Sequence, residues 1–198
     1  MTHHTRTVRA HQKEADEKVE FGFWIYLMTD CVLFASLFAV YIVQQSATAG
    51  GPSNRELFDL PFVLGETILL LLSSFVCGLM MIAAKFGKKN LVLAGLVVTG
   101  LLGAGFLAME LYEFSHLINH GNSWERSGFL TAFFTLVGTH GLHILVGLLW
   151  LVTMIVRVVR LGLTPRTVRK LTLFSLFWHF LDVIWIFIFT IVYMIGAI

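Results

Sequence analysis

Charge is what this chain has least of. Asp, Glu, Lys and Arg make up 13% of its 198 residues, about half the share of an ordinary soluble domain. That rules out a conventional water-soluble fold. Cysteine is scarce too. Cys31 and Cys77 stand alone inside apolar runs, with no Cys or His neighbour at metal-ligand spacing, so they read as reduced, packed thiols. There is no Gly-rich phosphate loop, no nucleophile elbow and no hydrophilic domain. The first 20 residues contain no apolar core or small-residue cleavage site of the kind a signal peptide needs. No inverted repeat with broken helices is visible, as it is in many transporters. The formal charge of +2 comes from basic residues scattered over short loops, which argues against a nucleic-acid partner.

What the chain does have is apolar length. Hydrophobic residues make up 57% of it, gathered into runs longer than the roughly 18 residues that suffice to cross a bilayer as a helix. The expected fold is all-α, an integral membrane bundle of five transmembrane helices over about 21–43, 61–84, 91–111, 129–156 and 171–196, preceded by a polar tail at 1–20. The tail carries His3, His4 and His11 among acids and bases and reads as a solvated, mobile or surface-lying segment rather than a metal site. Gly50-Gly51-Pro52 and the polar run after it read as turn chemistry. Gly95, Gly100, Gly103 and Gly105 would let another helix approach the third span closely.

Five spans put the termini on opposite sides, and the positive-inside rule chooses between them. Arg6, Arg9, Lys13 and Lys18, then Lys85, Lys88 and Lys89, then Arg157, Arg160, Arg166, Arg169 and Lys170 all fall on one side, leaving only Arg55 and Arg126 for the other. The N-terminus is therefore expected in the cytoplasm and the C-terminus in the periplasm.

Ionisable groups at membrane depth are costly and mark functional sites by default. At 1.5 Å per residue, Asp30 and His179 lie roughly 12 Å in from the cytoplasmic side, Asp182 about 5 Å deeper, and His140 and His143 at about 8–12 Å. His179 and Asp182, at i and i+3, share a helical face. These five residues form an inner layer. Glu66, Glu110, Glu113 and His116 form a second group towards the outer surface. Two readings compete for the inner layer. In one, each carboxylate pairs with an imidazole or a tryptophan N–H and the network fixes helix register. In the other, the layer is a proton antenna, a lipid-headgroup site or a ligand site. Metal is the weaker idea. Glu113-x-x-His116 has the di-iron spacing but occurs once, and such sites use two copies. His140 and His143 could supply two ligands, yet no third ligand lies at obvious spacing. Any of His140, His143 or His179 could serve as an axial haem ligand.

Four stretches carry a resemblance. They are Phe21-Gly-Phe-Trp-Ile-Tyr-Leu-Met-Thr-Asp30, Leu102-Gly-Ala-Gly-Phe running to Glu110-x-Tyr-Glu113-Phe, Gly138-Thr-His140-Gly-Leu-His143, and Trp178-His179-Phe-Leu-Asp182-Val-Ile-Trp185. In this order they resemble subunit III of haem-copper terminal oxidases, over essentially all of 21–198. The five-span length and the Thr48–Gly51 loop followed by Glu56 and Glu66 are most similar to the quinol-oxidising, cytochrome bo-type branch. Some bacterial cytochrome c oxidases share the five-helix form. The resemblance implies a non-catalytic subunit of a proton-pumping oxidase in the bacterial inner membrane. Haems and copper would sit in the partner subunit I, with subunit II and a small subunit IV as further partners and phospholipid bound in a cleft. It also implies support of proton uptake and of subunit I stability. Asp30 takes the place of a family carboxylate that is usually Glu, one methylene longer.

Overall fold

The computed structural model describes residues 2–48 and 60–195, with side chains from residue 17 onward. The turn expected around Gly50-Gly51-Pro52 and the histidine side chains of the N-terminal tail lie outside the described residues. Among the described residues every regular element is helical: α1 (Thr2–Gln44), α2 (Leu60–Lys85), α3 (Lys89–Asn119), α4 (Gly128–Leu161) and α5 (Pro165–Ile188), the last continued by a π-helical segment, Phe189–Met194. Five of the helices are long and apolar enough to cross a membrane, so the all-α, five-span reading stands.

The helices overrun the apolar runs. α1 reaches back to Thr2, α3 runs on through His116 to Asn119, and α5 begins at Pro165 rather than near 171. Hydropathy marks where hydrocarbon ends, whereas backbone hydrogen bonding ends a helix where a cap or turn is available. α5 shows this well. Pro165 occupies the first turn, where its missing N–H costs nothing, and the Thr164 hydroxyl accepts from the Thr167 N–H at 3.2 Å. The Ser127 hydroxyl caps α4 in the same way, accepting from Leu130 N–H at 3.2 Å. α4 ends at Gly162, whose φ of 68° suits a residue without Cβ.

α2 packs on α3, α3 on α4, α4 on α5, and α5 returns to α2, closing a four-helix ring; α1 lies outside it, against α4 and α5. Lipid offers no hydrophobic drive between helices, so close fit and polar contacts must hold the ring together. Trp178 supplies both. Its fully buried indole lies over bare backbone at Gly103 of α3 and Gly147 of α4, where an added Cβ would come within 2.7 and 2.9 Å of the ring. Its Nε1 donates to Ser73 Oγ on α2 at 3.0 Å, and Ser73 donates in turn to the Thr99 carbonyl at 3.2 Å. One side chain thereby joins α2, α3, α4 and α5.

Candidate functional site

The polar residues singled out by depth separate laterally into distinct places. On the α1–α4 seam, Asp30 Oδ1 lies 3.7 Å from His143 Nε2. The other ring nitrogen, Nδ1, is 2.7 Å from the Thr139 carbonyl. A carbonyl can only accept, so Nδ1 carries a proton, and Nε2 meets the carboxylate as an ion pair when the ring holds a second one. Tyr26, one turn before Asp30, lies near enough to interact electrostatically with the same carboxylate, while Asp30 Oδ2 has no hydrogen-bond partner among the described residues.

His140, one turn away on α4, does not join that pair. It is fully buried and faced by aromatic rings. Trp185 lies at 5.2 Å between centroids, Phe106 at 5.9 Å and perpendicular, and Phe34 at 6.3 Å. Neither ring nitrogen has a hydrogen-bond partner among the described residues. With rings on these sides, His140 behaves as a packed aromatic of the core.

His179 and Asp182 occupy a third place, the α2–α5 seam. His179 Nδ1 and the Ser74 hydroxyl are 2.6 Å apart, and Asp182 is close enough to His179 to interact with it electrostatically. Both residues line an open groove of about 450 Å³ together with Leu71, Phe75, Gly78 and Leu79.

Of the outer group, the structure gathers three members and leaves one out. Glu66, Glu110 and Glu113 are buried and close enough to interact electrostatically. Tyr193, carried by the π-helical segment, donates to Glu113 Oε2 at 3.0 Å. Glu110 lies against the bare backbone of Gly141, where a Cβ would stand 2.9 Å from its Cδ. His116 is exposed and packs instead against the tilted ring of His120, 4.2 Å between centroids. Among the described residues, no three His, Cys, Asp or Glu side chains are grouped so as to hold a metal ion.

The sequence reading missed the hydroxyls. The tryptophan N–H groups find Ser73 and Thr67 rather than carboxylates; Trp185 Nε1 donates to Thr67 Oγ1 at 3.1 Å. A signal was present. Two buried indoles need acceptors, and Thr67, Ser73 and Ser74 were hydroxyls in the apolar run of α2.

At the cytoplasmic end predicted by charge, Glu20, Trp24, Lys85 and Arg169 line a cleft of about 810 Å³ between α1, α2 and α5. A second one of about 470 Å³ is bordered by Trp150, Arg157, Arg166 and Lys170. Lys89 Nζ donates to the Val159 carbonyl at 3.1 Å, tying the α2–α3 turn to the end of α4.

A family model described as cytochrome c oxidase subunit III matches residues 1–197. Cytochrome bo(3) ubiquinol oxidase subunit 3 of Pseudomonas putida is 55% identical over 176 residues, covering 89% of this chain and 85% of the relative. The same-named protein of Pseudomonas aeruginosa is 52% identical over 187 residues, covering 94% and 90%. Cytochrome c oxidase subunit 3 of Bacillus sp. (strain PS3) is 45% identical over 181 residues, covering 89% and 86%.

Proposed function

The chain belongs to the cytochrome c oxidase subunit III family, and from that membership we propose that it is the accessory third subunit of a haem-copper ubiquinol oxidase in a bacterial inner membrane. The observation that carries the quinol assignment is the near-full-length similarity at 52–55% to two proteins named as ubiquinol oxidase subunits, against 45% to one named for cytochrome c. Haems, copper and oxygen reduction are assigned to subunit I. Subunit II and a small subunit IV complete the complex.

On this reading the interior of the chain does structural work. Its indoles and hydroxyls tie four helices together, and Asp30 with His143 fastens α1 to the ring. The N-terminus is assigned to the cytoplasm. The positive-inside rule supports this, as does the gathering of Glu20, Lys85 and Arg169 around one cleft, which brings the start of the first span and the two basic turns to the same end. The arginines and Lys170 beside Trp150 have the character of a phospholipid headgroup site. Purified oxidase containing this chain should consume oxygen with ubiquinol as donor and not with reduced cytochrome c. The opposite preference would move the chain to the cytochrome c branch.

A further inference from the structure

We propose that His116 and His120, on the last turn of α3, form a two-imidazole chelating site for an exchangeable divalent transition-metal ion, with Cu2+ preferred over Ni2+ and Zn2+. The residues stand four apart, so they share a helical face, and both are exposed. Their rings lie 4.2 Å apart between centroids, tilted by 36°. His120 Nδ1 is 2.8 Å from the His116 carbonyl. A carbonyl can only accept, so Nδ1 carries a proton, and the lone pair of the neutral ring is left on Nε2, across the ring from that carbonyl. Imidazoles that bind metal ordinarily donate their other N–H in this way, which fixes the tautomer and the ring.

The backbone beneath the rings is closed off. Gly121 leaves the helix at φ 76°; its N–H donates to the Ile118 carbonyl and that of Asn122 to the Leu117 carbonyl, each at 3.0 Å. These are the paired bonds of a Schellman end. Tyr112, one turn earlier, stacks on His116 at 6.3 Å between centroids. The two rings are therefore carried on a fixed scaffold, and less order has to be created when an ion binds. From Lys89 to His116 is about 40 Å along α3, more than the roughly 30 Å of hydrocarbon, so the pair stands where aqueous ions reach it.

Spacing selects the ion. Imidazole nitrogens bind at about 2.0–2.1 Å, so two cis ligands of a square-planar or octahedral ion have ring centroids roughly 4.5 Å apart, and two at a tetrahedral angle roughly 5.2 Å. The observed 4.2 Å lies nearer the first value, the geometry of Cu2+ and Ni2+, and Cu2+ leads in affinity for nitrogen ligands. The negative end of the helix macrodipole adds to the attraction. Arg126 Nη1 already donates to the Gly121 carbonyl and to Asn122 Oδ1, and no third His, Cys, Asp or Glu joins the pair among the described residues, so water fills the other positions. With two protein ligands the ion exchanges with solution and a chelator strips it, which sets it apart from a resident redox centre. The inference does not depend on the subunit reading.

The test uses the full chain in its native membrane, washed with EDTA and titrated with CuSO4, with histidine reactivity read by diethylpyrocarbonate labelling and peptide mass. Cu2+ should protect His116 and His120 together, at one shared midpoint and reversibly on adding EDTA. Protection of neither ring, of one alone, or of the two at separate midpoints overturns the proposal. Zn2+ should need a higher concentration, and protection by Zn2+ at or below the copper midpoint overturns the assignment of the ion. His120→Asn then isolates the chelate: the midpoint for His116 should move at least about tenfold higher. An unmoved midpoint makes His116 an independent surface imidazole and overturns the proposal. Where that variant accumulates poorly, the wild-type titration decides.

Discussion

Gly103 offers the sharpest quantitative test of how the bundle is held. A methyl group there would lie 2.7 Å from Trp178 Cζ2 and 2.8 Å from Cη2. The indole cannot swing aside, because Gly147 of α4 bounds its other edge and its Nε1 is held by Ser73. Overpacking a tight core costs about 1–3 kcal/mol, and a clamped aromatic places Gly103→Ala in the upper half, about 2–3 kcal/mol. Gly105→Ala is the matched control. It sits two residues on in the same helix, gains the same helix propensity, and its Cβ would meet nothing nearer than Leu69 Cδ1 at 3.9 Å. The readout is the midpoint of SDS-induced unfolding of the purified oxidase, followed by release of this chain. The cause is isolated by repeating Gly103→Ala on Trp178→Phe. Phenylalanine lacks the outer indole atoms that clash, so the second cost should shrink by at least about 1 kcal/mol. Equal midpoints for the two alanine variants, or additive losses in the double variant, would refute the account of Trp178 as the clamp.

Three further outcomes follow from the same structure. Trp185→Phe removes the hydrogen bond to Thr67 and leaves space beside His140 and Phe106, so unfolding should shift by about 1–3 kcal/mol; Thr67→Val, losing the bond without the ring, should cost about 1 kcal/mol. A double-mutant cycle of Asp30→Asn and His143→Ala, measured by the same assay, should show a coupling of roughly 0.5–1.5 kcal/mol, because the pair joins α1 to α4. A coupling of zero would leave Asp30 without a partner across the α1–α4 seam and return it to the proton-antenna reading.

The spans were legible because lipid imposes a length and a composition on any helix that crosses it, and both survive in one dimension. Helix ends were less so, since Thr164 and Gly162 act through backbone geometry that hydropathy does not register. Depth was also readable along each helix, and that is how Asp30, His143, His140, His179 and Asp182 were assigned to one layer. Azimuth was not. Which way a residue faces relative to four other helices depends on how the ring closes, so the layer separates into a pair at α1–α4, a caged His140 and a groove at α2–α5. Glu110 illustrates the same limit: grouped by sequence with His116, it lies against Gly141 of α4. Hydroxyls hid in plain view, because Thr67 can back-bond to its own helix at Val63 and carries little penalty in an apolar run.

The most direct test of the central claim is to purify the native complex through a tag on the N-terminus, record its reduced-minus-oxidised spectrum, and then dissociate this chain and measure where haem and metal go. The account predicts that haem arrives with a large partner subunit and stays with that partner, leaving the isolated chain spectrally silent and free of stoichiometric iron and copper. Haem or metal remaining on the isolated chain would contradict it and make the polar residues of this bundle a redox site in their own right.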